Sequence, residues 1–446
     1  YVSPSPLPGL LKSLEGLKKY PHSCNEQMAS RLMALLIDES VGESMGDSKS
    51  HSNEIQRIVK RLEKNQNEFG AWTWFGTNGK TSDWVTLHVV KALSKAREIG
   101  YSVNLKGVQM DVFISQQKSD ASKLRWMHAA RKDVAPETLK GHLDRLDFNS
   151  LSTYSKVLYL DLMYTVNGRD VSVQLNTLLK RTATGTLYCG DDKAGFYENN
   201  LVSTCLAFDL LRALGEEDKL AQLAAYLLYS QRNGDWSNTL QKALILERLI
   251  PYYTPDKEDL TKPATISVQT PDGLKAIRHK MTLPAQAMLK FTKTGSTPLF
   301  FTAYQSSFNT NPSLKDDLAH IELSYFEKDL ERNKLKAGTP VTMQCSLIVK
   351  EKMEYCTLSL PIAAGCDYGD KLQGNYFGDL REVHREYFRD RVVIYFETIA
   401  PGNYSIEIEL EPRFSGSFVQ NPSQLELMYF PTLSANNRLQ RVQIEP

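Results

Sequence analysis

The chain has 446 residues, too many for one ordinary domain, and its 41% hydrophobic and 24% charged residues fit a folded globular protein rather than a fibrous or disordered one. Lys+Arg number 53 against 52 Asp+Glu, a formal charge of +1, so the basic excess of a nucleic-acid binder is missing. No apolar run approaches the roughly 18 residues that a membrane helix needs, so no membrane contact is expected of this chain.

Leu7, Leu10, Leu11, Leu14 and Leu17 fall at helical spacing behind Pro4, Pro6 and Pro8, which predicts a first helix. Amphipathic stretches follow at 28–37, 55–62, 84–96, 150–164, 171–179, 201–214, 219–228 and 240–249. Gly100, Gly215 and Asn233-Gly234 mark turns between some of them. About ten to twelve short helices with short connections must share one core, and an α/α toroid of paired helices achieves this. A solenoid is the alternative, but no fixed repeat period supports one.

Beyond Pro251 the periodicity changes. Thr254-Pro255-Asp256 and Lys262-Pro263 punctuate the break, and residues such as Val341, Met343, Cys345, Leu347 and Val349 then alternate with mostly polar neighbours. Tyr404, Ile406, Ile408 and Leu410 repeat the pattern, as half-buried strands do. The expected organisation is a toroid over 1–260, a short β segment over 261–312 and an antiparallel β-sandwich over 313–446, divided near Asn311-Pro312. Starting at Tyr1, the chain is expected to be processed or part of something longer.

The segment Tyr20-Pro21-His22-Ser23-Cys24-Asn25-Glu26-Gln27 stands apart. Ser23 and Glu26 have capping-box spacing, which predicts Ser23 as N-cap and Cys24 as the first helical residue. Helix N-termini activate thiols, and Gln27 lies three residues on, within reach of the sulfur. Attack of the thiolate on that carboxamide with loss of ammonia would give an internal thioester, an acyl group activated toward amines and hydroxyls. Spacing alone favours a capped helix with a buried cysteine, since four residues of this pattern occur by chance.

The segment resembles the thioester motif of the alpha-2-macroglobulin family, whose bacterial members read Y-P-x-G-C-x-E-Q. Tyr20, Pro21, Cys24, Glu26 and Gln27 match, whereas Ser23 replaces the usual Gly. Gly70-Ala71-Trp72-Thr73-Trp74-Phe75-Gly76 and Ser82-Asp83 are similar to the aromatic loop and helix start of the same domain. Later, His384-Arg385-Glu386, Asp390-Arg391-Val392-Val393, Ala400-Pro401-Gly402-Asn403-Tyr404 and Glu426-Leu427-Met428-Tyr429 resemble the last macroglobulin-like domain of bacterial members.

The resemblance implies a thioester domain followed by CUB-type strands and a terminal sandwich. It also implies a covalent protease trap rather than an enzyme, with Cys24 and Gln27 forming the bond and Ser23, Asn25 and Glu26 supporting it. Protease lysine amines would be the targets, and upstream macroglobulin-like domains of a longer protein the neighbours. The setting would be periplasmic, cell-surface or secreted, with a lipid anchor upstream as one option. Tyr20 and Met428, by the same resemblance, would cover the bond, with Trp72, Trp74 and Phe75 as an apolar shield. The strand 425–430 would place Met428 and Phe430 on a contact face beside Glu426. Complement-type members carry a His before the helix matching 84–96. Residues 76–83 contain none, and His88 reads as a packed core residue, so aminolysis is favoured over tagging of surface hydroxyls. A protein of the same fold without a working thioester is the other alternative.

No cofactor or metal is expected. Six Cys show no C-x-x-C spacing, and eight His are scattered. Asp191-Asp192 suggests a magnesium-binding acidic cluster, but position 195 is Gly195. Facing carboxylates of an α/α glycosidase remain open to any acid-rich chain. Cys345 and Cys356 lie on apolar faces of successive strands and could pair or stay reduced, while Cys189, Cys205 and Cys366 read as structural.

Overall fold

The computed structural model describes all residues other than 1, 4, 46–49, 78–79, 106–107, 109, 133, 192–197, 232–234, 255–264, 271–272, 278–280, 284–288, 296–298, 302–308, 310–311, 373–375 and 378–379. It divides into two compact units, residues 1–305 and 306–446. The expected boundary at 260/261, the Asn233-Gly234 turn and Asn311 lie outside the described residues.

Twelve α-helices are described in the first unit: α1 (Leu7–Lys18), α2 (Asn25–Met45), α3 (Ser52–Lys64), α4 (Asp83–Glu98), α5 (Met110–Gln116), α6 (Asp120–Ala130), α7 (Pro136–Leu143), α8 (Thr153–Asn167), α9 (Ser172–Leu178), α10 (Asn200–Leu214), α11 (Glu217–Tyr229) and α12 (Thr239–Tyr253). Local chemistry sets many of the ends. Ser152, Asn199 and Asn238 accept N–H bonds as N-caps of α8, α10 and α12. Gly168 and Gly215, at φ 61° and 75°, close α8 and α10 in the left-handed conformation that a side chain would strain.

The even-numbered helices pack in a closed series, α2 on α4, α4 on α6, α6 on α8, α8 on α10, α10 on α12 and α12 back on α2. The odd-numbered helices lie against them: α1 on α2 and α12, α3 on α2, α5 on α6, α7 on α8, α9 on α8 and α10, α11 on α10 and α12. This is the α/α toroid. Burial follows from place in the ring. In α12, 11 of 15 residues are buried, whereas α3 buries only Ile55, Ile58, Val59 and Leu62, a single stripe at helical spacing.

Charges on the inner helices are paired. Glu247 of α12 meets Lys91 and Lys95 of α4 at 2.7 and 2.8 Å. Burial works to raise the Glu247 pKa, but Lys91, Lys95 and Arg248 outweigh it and hold the carboxyl well below its usual range. Arg248 pairs with Asp209 of α10 and donates to the Cys205 carbonyl at 2.9 Å.

The first unit also holds a small antiparallel sheet, with Thr265–Thr270 between Gly273–Ile277 and Lys290–Thr294. Its Ile266, Val268 and Ile277 share a small core with Val2.

The second unit is a β-sandwich. One sheet runs in the order Cys366–Tyr368, Gly402–Pro412, Val341–Val349, Ala319–Glu327, Leu330–Glu331. The other runs His384–Tyr387, Arg391–Ile399, Met353–Pro361, Gln424–Leu427, Phe430–Asn436. Met343, Cys345, Leu347, Cys356, Leu358 and Ile394 belong to the core between them. Alternation is strict along Val341–Val349, so Ile348, the residue that broke the sequence pattern, points outward and is exposed. Lys328 and Asp329, both at positive φ, form the two-residue turn that joins the first sheet's edge hairpin.

Candidate functional site

The first turn of α2 differs from expectation by one residue. Helix α2 starts at Asn25, and the Cys24 carbonyl accepts the first intrahelical bond, from Met28 N–H at 2.9 Å. Cys24 is therefore the N-cap, not Ser23. The Gln27 N–H donates to Cys24 Sγ at 3.4 Å, while the Cys24 N–H donates to Gln27 Oε1 at 3.2 Å. These are the two reciprocal bonds of a capping box, with a thiol and a carboxamide in place of hydroxyl and carboxylate. Both residues are buried. Ser23 is half-buried and accepts from Arg61 Nη2 at 3.5 Å.

That geometry brings a thiol and a carboxamide together on one helical turn, as an acyl transfer between them would require. A nucleophile and an electrophile are held on one turn, which replaces a bimolecular encounter by a preformed one. Attack on the Gln27 carboxamide would place negative charge on Oε1, where the Cys24 N–H already donates. The positive end of the α2 dipole favours the same charge.

Glu26, set between the pair, turns inward. Thr239 Oγ1, on the first residue of α12, lies 2.9 Å from both carboxylate oxygens, and Ser30 Oγ donates to Oε1 at 2.7 Å. Ser30 Oγ also lies 2.9 Å from His88 Nε2 of α4. Burial lowers the His88 pKa to about 3, assisted by Lys91 and opposed by Glu247, so the imidazole is neutral near pH 7. With Ser30 donating to Glu26, the ring must donate from Nε2. His88 is thus the packed core residue expected, one end of a hydrogen-bonded chain joining α4, α2 and α12.

The aromatic loop lies against the start of α2. Trp72, Trp74 and Phe75 are buried, and the Trp74 and Phe75 rings meet edge-on at 5.0 Å. Trp72 Nε1 donates to the Leu62 carbonyl at 2.7 Å, and the Asn25 N–H donates to the Trp74 carbonyl at 2.9 Å. Tyr20 is half-buried and meets the His22 ring edge-on at 5.6 Å. Pro21 is exposed, so the buried Cys24 follows directly on a surface segment at the end of an inner-ring helix.

Met428 sits otherwise than the pattern suggested. The strand does not run through 425–430: it stops at Leu427, Met428 and Tyr429 form a turn, and Phe430 starts the antiparallel return. Met428 and Tyr429 are buried. The Met428 N–H donates to the Tyr355 carbonyl at 2.9 Å, and the Tyr355 and Tyr429 rings meet edge-on. Tyr355, at φ 55°, is passed over by the ladder with the neighbouring strand, which frees its carbonyl for this bond.

The remaining candidates are structural. All six cysteines are buried, and no disulfide joins Cys345 to Cys356. Burial pushes the Cys189, Cys205, Cys345 and Cys356 thiols up to about 12 and Cys366 to about 11. Asp191 accepts from the Thr153 N–H at 2.8 Å and from its hydroxyl. Asp192 and Gly195 lie outside the described residues, and among the described residues no group of three or more His, Cys, Asp or Glu could hold a metal.

Thr239, Ser30 and Asn65 belong to the site and were not singled out in the sequence. Ser30 sits one helical turn from Glu26 on α2, whereas Thr239 and Asn65 reach the motif only through tertiary packing.

Residues 315–432 match the bacterial alpha-2-macroglobulin MG10 domain. An alpha-2-macroglobulin of Escherichia coli (strain K12) is 31% identical over 107 residues, 23% of this chain and 6% of that protein. The structure of Salmonella alpha-2-macroglobulin reacted with methylamine superposes with a TM-score of 0.74 at 17% identity, covering 99% of this chain and 31% of that one. Native Escherichia coli alpha-2-macroglobulin from domain MG7 to the C-terminus superposes with a TM-score of 0.70 at 16% identity, covering 99% of this chain and 76% of that one. The chain spans about a third of the Salmonella protein. It is similar to the C-terminal region of bacterial alpha-2-macroglobulins, sharing the fold of their helical domain and following β domains and matching their MG10 domain over residues 315–432.

Proposed function

We propose that Cys24 and Gln27 form an internal thioester and that the chain is the reactive part of a protease trap, capturing amines of an attacking protease. The reciprocal Cys24–Gln27 bonds carry this reading, because they hold thiol and carboxamide together before any covalent step. In the closing step Cys24 Sγ bonds to Gln27 Cδ, the Cδ–Nε2 bond breaks, and the thiol proton leaves with the amide nitrogen as ammonia. A lysine amine then forms an amide at position 27, and its proton passes to the departing thiolate.

Amines are favoured over hydroxyls as acceptors. Hydroxyls need a base, residues 76–83 contain no His, and His88 is buried against Ser30. A Salmonella relative of the same fold has been reacted with methylamine, which fits an amine as acceptor. The trapped partner would be a protease, brought in by further domains of a longer protein.

Methylamine and glycerol offered separately to the chain test this reading. Methylamine should release one titratable thiol, mapped to Cys24, much faster than glycerol does. Release by glycerol at an equal rate would favour surface tagging, and no thiol release would remove the thioester.

A further inference from the structure

The variable position of C-x-E-Q is Asn25, for which the resemblance implies only general support of the bond, and its side chain is held by three hydrogen bonds. Its Nδ2 donates to the Thr73 carbonyl at 2.8 Å and to the Gly76 carbonyl at 3.1 Å. Its Oδ1 accepts from Asn65 Nδ2 at 2.7 Å, and its backbone N–H donates to the Trp74 carbonyl at 2.9 Å. One fully buried residue thus fastens three points of the aromatic loop to the start of α2.

The loop's shape depends on these bonds. Thr73 Oγ1 donates to the Phe75 and Gly76 carbonyls at 2.8 and 3.0 Å, and Gly76 adopts φ 56°, so four successive carbonyls turn inward. Inward carbonyls must be satisfied or solvated. A carboxamide is the group that fits, because it brings two donors to two carbonyls while its oxygen is held by a third residue. A carboxylate at the same place has the same shape and no donor.

We infer that Asn25 is a positioning residue, a latch that holds the Ala71–Gly76 segment closed over the acyl site and makes it selective for small amines and against water. This rests on the thioester reading above. A thioester survives only while water is kept away, so the latch would set the lifetime of the bond rather than its formation. With the latch intact, methylamine reaches the bond more readily than a bulky amine. Without it, the bulky amine and water gain most.

Asn25→Asp and Asn65→Ala test the latch in the full 446-residue chain. Intact mass gives the fraction carrying the thioester, and thiol release gives the rates with water, methylamine and benzylamine per formed bond. Asn25→Asp should keep the fold, hydrolyse roughly tenfold faster, as expected when buried hydrogen bonds worth that factor are lost, and narrow the preference for methylamine over benzylamine. Asn65→Ala, which removes only the orienting bond, should move both in the same direction by less. Lower thermal stability with unchanged rates and unchanged amine selectivity would overturn the latch and leave the thioester standing. A wild-type chain with no thioester would overturn both. Hydrogen exchange of residues 71–76 reads the latch without the bond: faster exchange in Asn25→Asp supports it, and unchanged exchange overturns it.

Discussion

The start of α2 and the interior of the sandwich both bury cysteines, and they do so differently. Cys345 and Cys356 lie in a core of Met343, Leu347, Leu358 and Ile394, where burial pushes each thiol up to about 12. Cys24 is as fully buried, yet a backbone N–H meets its sulfur and a carboxamide lies across the same turn. The two kinds of cysteine are thus equally buried and differ in the polar groups placed beside them, which is the difference that thiol reactivity depends on. The polar site is also bound to the fold by a chain of groups, Thr239, Glu26, Ser30 and His88, that the sandwich cysteines lack.

The most direct way to break this contrast is with acid. The His88 pKa falls from 6.5 in the unfolded chain to about 3 in the fold. The unfolded state binds the extra proton first, so stability is full above pH 6.5 and falls as pH drops toward about 3. Between pH of about 6.5 and about 4 the loss is on the order of 3 kcal/mol. Urea denaturation of the wild type and His88→Gln across this range should show a shallower slope in the variant.

Thr239→Val comes next, removing the hydroxyl that closes α12 onto Glu26. A buried carboxylate losing a donor costs about 1–3 kcal/mol, read as a lower denaturation midpoint with unchanged secondary structure. In the sandwich the expected sign reverses at Tyr355, whose positive φ is strained. Tyr355→Gly should relieve about 1 kcal/mol of backbone strain, offset by the lost contact with Tyr429. A double variant with Tyr429→Ala isolates the backbone contribution. Smallest is Cys345→Ala, about 1 kcal/mol for the lost apolar volume, with no change in amine uptake. If that variant altered amine uptake, the separation of the two kinds of cysteine would fail.

Much of this was legible in the sequence, and the limits have physical causes. The helix-to-strand switch showed because periodicity changes from 3.6 to 2. The motif showed because Tyr20, Pro21, Cys24, Glu26 and Gln27 together resemble a known pattern, not because of the Cys24–Gln27 spacing alone. Which pair forms the cap did not, since Ser23–Glu26 and Cys24–Gln27 share one spacing and only the frame of the helix start separates them. The inward turn of Glu26 depends on Thr239, 213 residues away, which only closure of the ring brings near. The turn at Met428-Tyr429 lacks Gly, Pro, Asn or Asp, so Leu425 to Phe430 read as one alternating strand. Asn25 was expected to support the bond, but how it could do so was not legible, because its partners are backbone carbonyls that no side-chain pattern records.

Intact mass spectrometry of the freshly purified chain, beside Cys24→Ala, tests the central claim most directly. The account predicts a wild-type mass lower than that of the sequence by one ammonia, converted by methylamine to a product one methylamine heavier with a free Cys24 thiol. Cys24→Ala should show the full sequence mass and no reaction. A wild-type mass equal to the sequence value, with Cys24 freely alkylated and methylamine without effect, would contradict it.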